Sequence, residues 1–197
     1  NTENIVTRLD VNGADGVTIR DVNPMGTNQI INLDYFMNTD NFDSDLIEKY
    51  WGWKDTYKNY QQQYYNLSVE YALQIMRKTT EQAALVELEA EMTSLENQQA
   101  VIIQAIANNL EQQSALDAIN RQISAKQSEI KAKETEIADI EDNAEAVYAQ
   151  LVEINKKTRF ESFFTRDEYL QLDRYIKDDA VSESSFVVQE TDSYTDE

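Results

Sequence analysis

The sequence predicts a mainly α fold: a long antiparallel coiled-coil helical hairpin on a small β-containing base, closed by a short returning helix. Three observations predict it. All four glycines (Gly13, Gly16, Gly26, Gly52) and the lone Pro24 fall in the first 52 of 197 residues, so the rest of the chain lacks both breakers. Two stretches of that remainder carry apolar residues at alternating spacings of three and four, the heptad signature. The short stretch between them, Asn108–Ser114, belongs to neither.

The first element is β-like. Asn4–Asn12 alternates Ile5, Thr7, Leu9 and Val11 against Val6, Arg8 and Asp10. Gly13-Ala14-Asp15-Gly16 interrupts it and Val17–Arg20 resumes, a pattern that predicts a hairpin between the two runs. Pro24–Asn28 forms a second turn before Ile30-Ile31. Asp10, Asn12, Asp15 and Asp21 have the look of a calcium loop. Counted from Asp10, however, Ala14 and Asp15 occupy the places where an EF-hand needs an oxygen ligand and a glycine. A plain turn is the reading.

The first helix starts at Asp43 or Ser44, either of which can cap it, with Asp45 and Glu48 in its first turn. Its seam runs from Trp53 through Tyr57, Tyr60, Tyr64, Leu67 and Tyr71 to Leu85, Leu88, Met92, Leu95, Ile102 and Ile106, with Gln74, Lys78, Glu81 and Gln99 as polar members. The second seam runs from Leu116, Ile119 and Ile123 through Lys126, Ile130, Lys133, Ile137 and Ile140 to Ala144, Val147, Leu151 and Ile154. Asn108-Asn109 weakens helix, and Ser114-x-x-Asp117 is a capping-box variant placed to restart one. Folding back there sets Tyr71 against Leu151, Leu85 against Ile137 and Gln99 against Ile123. Lys126 then lies opposite Leu95 with Glu91 or Glu96 in reach, Lys133 lies opposite Leu88, and Lys78 falls near Glu145. The alternatives are one continuous helix pairing between chains, or hairpins of several subunits bundled together.

Below the arm, Tyr50, Trp51, Trp53, Tyr57, Tyr60, Tyr64, Tyr65 and Tyr71 form an aromatic stretch that needs cover. Phe160, Phe163 and Phe164 arrive to supply it. Thr165-Arg166-Asp167-Glu168 is a capping box opening a short helix with Tyr169, Leu172 and Ile176 on its apolar side. The organisation is therefore a β and loop segment at 1–43, the long hairpin at 44–157 with its turn near 108–114, the returning segment at 158–179, and an acidic end at 180–197. The last segment reads as a tail disordered beyond Glu190, with Phe186-Val187-Val188 as an alternative strand leading to a following domain. The start at Asn1 without Met reads as a fragment of a longer protein, and nothing resembles a signal peptide.

Composition removes several chemistries. The chain has no His and no Cys, which excludes His-dependent nucleophiles, ordinary zinc sites and disulfides. Its 37 acids against 17 bases give a net charge of −20, unfavourable for nucleic acid or anionic lipid. The most apolar window, Ala100–Ala107, is far short of the ~20 residues that span a bilayer. Carboxylate pairs such as Glu87/Glu91, Asp139/Asp142 and Asp178/Asp179 read as solvated faces, and the aromatic stripe as packing rather than a sugar platform. The expectation is no catalytic residue, no cofactor and no metal.

Two stretches carry a family resemblance. Ile5–Asn23 (IVTRLDVNGADGVTIRDVN) resembles the "VTRLYxYGxDGLTIxxVN" stretch of tail-tip hub proteins from phages and prophages of Gram-positive bacteria, often filed as minor structural or tail-endopeptidase proteins. Phe164–Phe186 (FTRDEYLQLDRYIKDDAVSESSF) resembles a later stretch of the same family, "FTxExLKELDxFIxExTYxxxxF". Asp10 and Asn12 replace the two usual aromatics, and Ala180-Val181 replaces the Thr-Tyr. The resemblance implies a piece of a tail tip or baseplate hub in the virion, homotrimeric, contacting itself, other tail proteins and a host surface. The expected function is a non-catalytic structural component that links the hub to distal modules through its arm. The alternative is a coiled-coil adhesin or adaptor that binds a receptor through the arm tip, Asn108–Ser114.

Overall fold

The computed structural model describes residues 5–13, 18–108 and 112–178. In chain order these form strand β1 (Arg8–Asp10), strand β2 (Gln29–Ile31), a 3-10 turn (Asp34–Phe36), helix α1 (Ser44–Ala107), helix α2 (Gln113–Thr158), the single-turn helix α3 (Phe160–Phe163) and helix α4 (Arg166–Asp173). The architecture is mainly helical, a two-helix hairpin on a small two-stranded base.

Helix α1 starts where its cap dictates: Asp43, in extended backbone, accepts a hydrogen bond from the Leu46 amide at 2.8 Å. It runs for 64 residues and α2 for 46, rods of about 96 and 69 Å at ~1.5 Å per residue. The two pack against each other within one chain, so this chain forms the hairpin and not the continuous interchain helix. The long apolar side chains buried on α2, from Ile119 and Ile137 to Leu151 and Ile154, all belong to the expected seam.

The seam's register differs from the expected one. Tyr71 makes a tilted ring contact with Tyr148 at 5.6 Å, beside the cluster that holds the expected Leu151. Gln99 bonds Asn120 at 2.6 Å rather than facing Ile123, and Lys78 pairs with Glu141 rather than Glu145. Each contact lies three or four residues nearer the tip on α2, about one helical turn. A heptad slid by three or four residues still sets apolar positions against apolar ones, so spacing alone cannot choose between these registers. Lys126 does reach Glu91, at 2.7 Å, whereas Lys133 reaches Glu81. At the restart of α2, Ser114 makes no cap; Gln112 holds the N-cap position without a side-chain bond, and Gln113 bonds Asp117 instead.

The strand pairing also differs. β1 pairs antiparallel with β2, Leu9 opposite Ile30, and not with the described part, Thr18–Arg20, of the expected partner. Only a single bridge, Asn12 to Thr18, survives of the expected hairpin among the described residues. Beyond Thr18 the chain curls, the amides of Val22 and Asn23 both donating to the Ile19 carbonyl. Asn23 organises the following loop: its amide donates to the Thr27 and Gln29 carbonyls at 2.8 and 2.9 Å, and its oxygen accepts from the Met25 amide. These bonds deliver β2 to β1, because the side chain supplies turn bonds that backbone alone would leave open. Gly26 sits at φ +66°, and a Cβ there would stand 2.8 Å from the Asn155 carboxamide of α2. Glycine is therefore required by both conformation and space.

The acidic end 180–197 lies outside the described residues, and with it both the strand at Phe186–Val188 and the disorder expected beyond Glu190. Residues 109–111 of the arm tip lie outside them too.

Candidate functional site

The most elaborated part of the molecule is the base, where segments from both ends of the chain lock the root of α1. One core joins Met25, Ile31, Leu33, Phe36, Met37 and Phe42 to Leu46, Tyr50 and Trp53 of α1 and to Phe160, Phe164 and Leu172. The aromatic stretch is divided as its helical spacing requires. Tyr50, Trp53 and Tyr64 are buried, whereas Trp51 and Tyr65 face outward. The phenylalanines do cover the stripe: Phe160 meets Trp53 edge-on at 4.9 Å and contacts Phe164 at the same distance.

Polar groups pin this core. The Trp53 indole donates to the Thr158 carbonyl at 2.8 Å. The Thr158 hydroxyl, fully buried at the end of α2, lies within bonding distance of the Pro24 and Ile154 carbonyls. Tyr50 accepts from the Leu33 amide and donates to Asp34, whose carboxylate also holds Lys54. Burial pushes the Tyr50 hydroxyl far above its ordinary pKa, so it remains a donor. Neither Thr158 nor Asn23 announces itself in the sequence; the proximity of Pro24 to the end of α2 was not legible there.

The first described strand and the segment after α4 meet at one edge of this base. The Thr7 hydroxyl donates to the Tyr175 carbonyl and accepts from the Lys177 amide, both at 2.7 Å. The amides of Thr7 and Arg8 both approach the Lys177 carbonyl. Arg8 forks onto both oxygens of Asp178, holding that carboxyl below its usual range. The returning helix α4 begins as expected: Thr165 and Glu168 form the reciprocal capping box, and Glu168 also takes Lys49 of α1. Lys49 and the Thr165 amide together lower the Glu168 pKa.

A pH dependence follows. Because the folded pKa of Glu168 lies below its unfolded value, its contribution is fully present above the unfolded pKa and disappears as pH falls through the folded one. Asp178 acts in the same sense. Urea midpoints should therefore decline below about pH 4.5, near the ordinary glutamate pKa. Glu168→Gln should flatten that acid limb. An unaltered limb in the variant would remove Glu168 from this account.

Along the arm, Lys126 bridges Glu91 and Glu129, and Lys133 bridges Glu81 and Glu136. With the lysines half-buried along the seam and Glu91 and Glu129 open to solvent, such pairs orient side chains more than they stabilise. Near the base, a groove of about 450 Å³ runs between the helices, walled by Tyr64, Tyr71, Tyr148 and Leu151. Among the described residues no three acidic side chains gather as a metal site would require. None of the helices is long and apolar enough to cross a membrane. Of the carboxylate pairs on the arm, Glu87 and Asp139 are exposed on their helices, whereas Glu91 lines an open groove of about 430 Å³ together with Lys126 and Glu129. The arrangement is an aromatic clamp at the root of a long two-helix rod.

Comparison with protein-family models, with curated proteins and with solved structures finds no match to this chain.

Proposed function

We propose that this chain is a non-catalytic structural segment of a phage tail tip or baseplate. In this reading the base joins the hub, and the helical hairpin is a rigid arm that spaces or docks distal modules. Its partners are further copies of itself, with a trimer favoured, and other tail proteins. Its location is the virion, and a host surface is in reach of the arm.

One observation supports the reading above others. The two stretches that resemble tail-tip hub proteins are separated by the whole helical hairpin, yet Thr7, Tyr175, Lys177 and the Arg8–Asp178 fork join them at one edge. Two similar stretches that form one structural unit are better grounds than either alone. The lever arm is consistent with a positioning role, since a rod of about 96 Å rooted by one aromatic core transmits orientation rather than chemistry.

The test is location. Gold-labelled antibody against the arm should mark the distal end of purified phage tails. Label along the tube, or none on intact virions that contain the parent protein, would remove this reading.

A further inference from the structure

Helix α1 carries a second heptad that the hairpin leaves unused. One line of it passes through Val69, Met76, Ala83, Ala90, Asn97 and Gln104. Its companion line passes through Tyr65, Ala72, Thr79, Val86, Thr93 and Ala100. Spacings of three and four alternate without a break, none of the twelve is charged, and all twelve are exposed. At 3.5 residues per turn this stripe lies roughly 150° round α1 from the seam with α2. The large apolar side chains left exposed on the arm of α1, from Tyr65 and Val69 to Met76, Val86 and Ile103, all fall on it or directly beside it. Nothing comparable exists on α2, where Tyr148 is the one exposed large apolar side chain among the described residues.

We propose that this stripe is a homotypic interface, on which α1 of a second copy packs parallel and in register. A heptad stripe is matched by a helix with the same repeat, and identical copies in register match layer for layer. Ala72, Ala83, Ala90 and Ala100 let the two backbones approach, while Met76 and Val86 fill the layers between. Asn97 decides the orientation. In the parallel pair it meets its own copy and the two amides bond, a device that fixes register. An antiparallel overlap of the same length would set Asn97 against Ala72 and leave its amide buried without a partner.

Charge agrees with that choice, which matters for copies of net charge −20. The acids flanking the stripe are Glu87, Glu89 and Glu96. Across a parallel pair, flanking positions five residues apart face each other. Glu87 then faces Gln82, Glu89 faces Ser94, and Glu96 faces Val101, so no acid opposes another. The stripe is about 60 Å long and about 10 Å wide, burying about 1,200 Å² in total, the lower edge of a specific interface. The proposal deepens the self-association in the tail-tip reading and rests on that part alone.

The absence of native cysteine makes cross-linking clean. Under a mild thiol oxidant, full-length Val86→Cys should convert to a covalent dimer with helicity unchanged. Lys131→Cys, exposed on α2 at a similar height, should remain single. Asn97→Asp should weaken association at least about tenfold by light scattering, by placing two carboxylates in one layer. A Val86→Cys chain that stays single while wild type is monomeric overturns the proposal. So does cross-linking between Ala72→Cys and Asn97→Cys chains, which reports the antiparallel overlap. Gold labelling of virions is read separately, so failure here removes the stripe without deciding the tail location.

Discussion

Trp53→Ala should cost about 3–5 kcal/mol of stability, the range for deleting a large buried aromatic. Three losses coincide. Trp53 is 2% exposed, so nearly its whole ring leaves the core. Its edge-on contact with Phe160 and its tilted contacts with Tyr50 and Tyr57, at 4.9, 5.7 and 6.0 Å, vanish together. The Thr158 carbonyl also loses its indole donor, in a place where the end of α2, the loop at Pro24 and α1 converge. Trp53→Phe separates these terms. It keeps most of the buried area and forfeits the hydrogen bond, so about 1–3 kcal/mol is expected for the stranded carbonyl. Urea unfolding followed by near-ultraviolet circular dichroism would rank wild type, Phe and Ala in that order. Equal stabilities for the alanine variant and wild type would mean that the root of the arm is held elsewhere.

The helical hairpin was legible in the sequence because heptads repeat a local rule over many turns. Buried residues from Ile119 to Ile154 fall where the seam requires them. The Asp43 cap and the Thr165–Glu168 box were legible for the same reason, each being a short-range pattern, and the aromatic cover by Phe160 and Phe164 followed from the hairpin, which returns the end of α2 to the aromatic root of α1. Register was not. A seam is nearly degenerate under a one-turn slide, and the choice falls to contacts such as Tyr71 on Tyr148 and Gln99 on Asn120. Strand pairing failed on a different ground. The expected partner of β1 was the nearest β-prone run, but Asn23 stitches an intervening loop that carries β2 into that place. A buried asparagine's three bonds depend on where the chain has already gone, which no local spacing encodes. The base likewise depends on Thr7 reaching Lys177 and on Thr158 reaching Pro24, contacts between distant segments.

Ile140→Asp should unzip the arm while leaving the base folded. Ile140 is 2% exposed in the seam between Ile137 and Ala144. A carboxylate there loses the burial of isoleucine and is itself taken out of water, a combined cost on the order of 4 kcal/mol or more. Lys78, which reaches the neighbouring Glu141 at 2.7 Å, is already engaged. The base has its own reasons to persist. Its core of Leu33, Tyr50, Trp53, Phe160 and Leu172 involves no residue of the arm beyond the first turns of α1. A second cluster, Tyr64 and Leu67 with Val147, Leu151 and Ile154, stands between it and the lesion as a firebreak. Far-ultraviolet circular dichroism should therefore lose much of its helical signal, while the near-ultraviolet signature of Trp53 survives. Ile140→Val, which only trims a methyl, should cost about 0.5–1.5 kcal/mol and keep the arm intact. If the aspartate variant loses both signals in one transition, arm and base form a single cooperative unit. If it loses neither, the seam at this level tolerates charge and cannot be what holds the rod together.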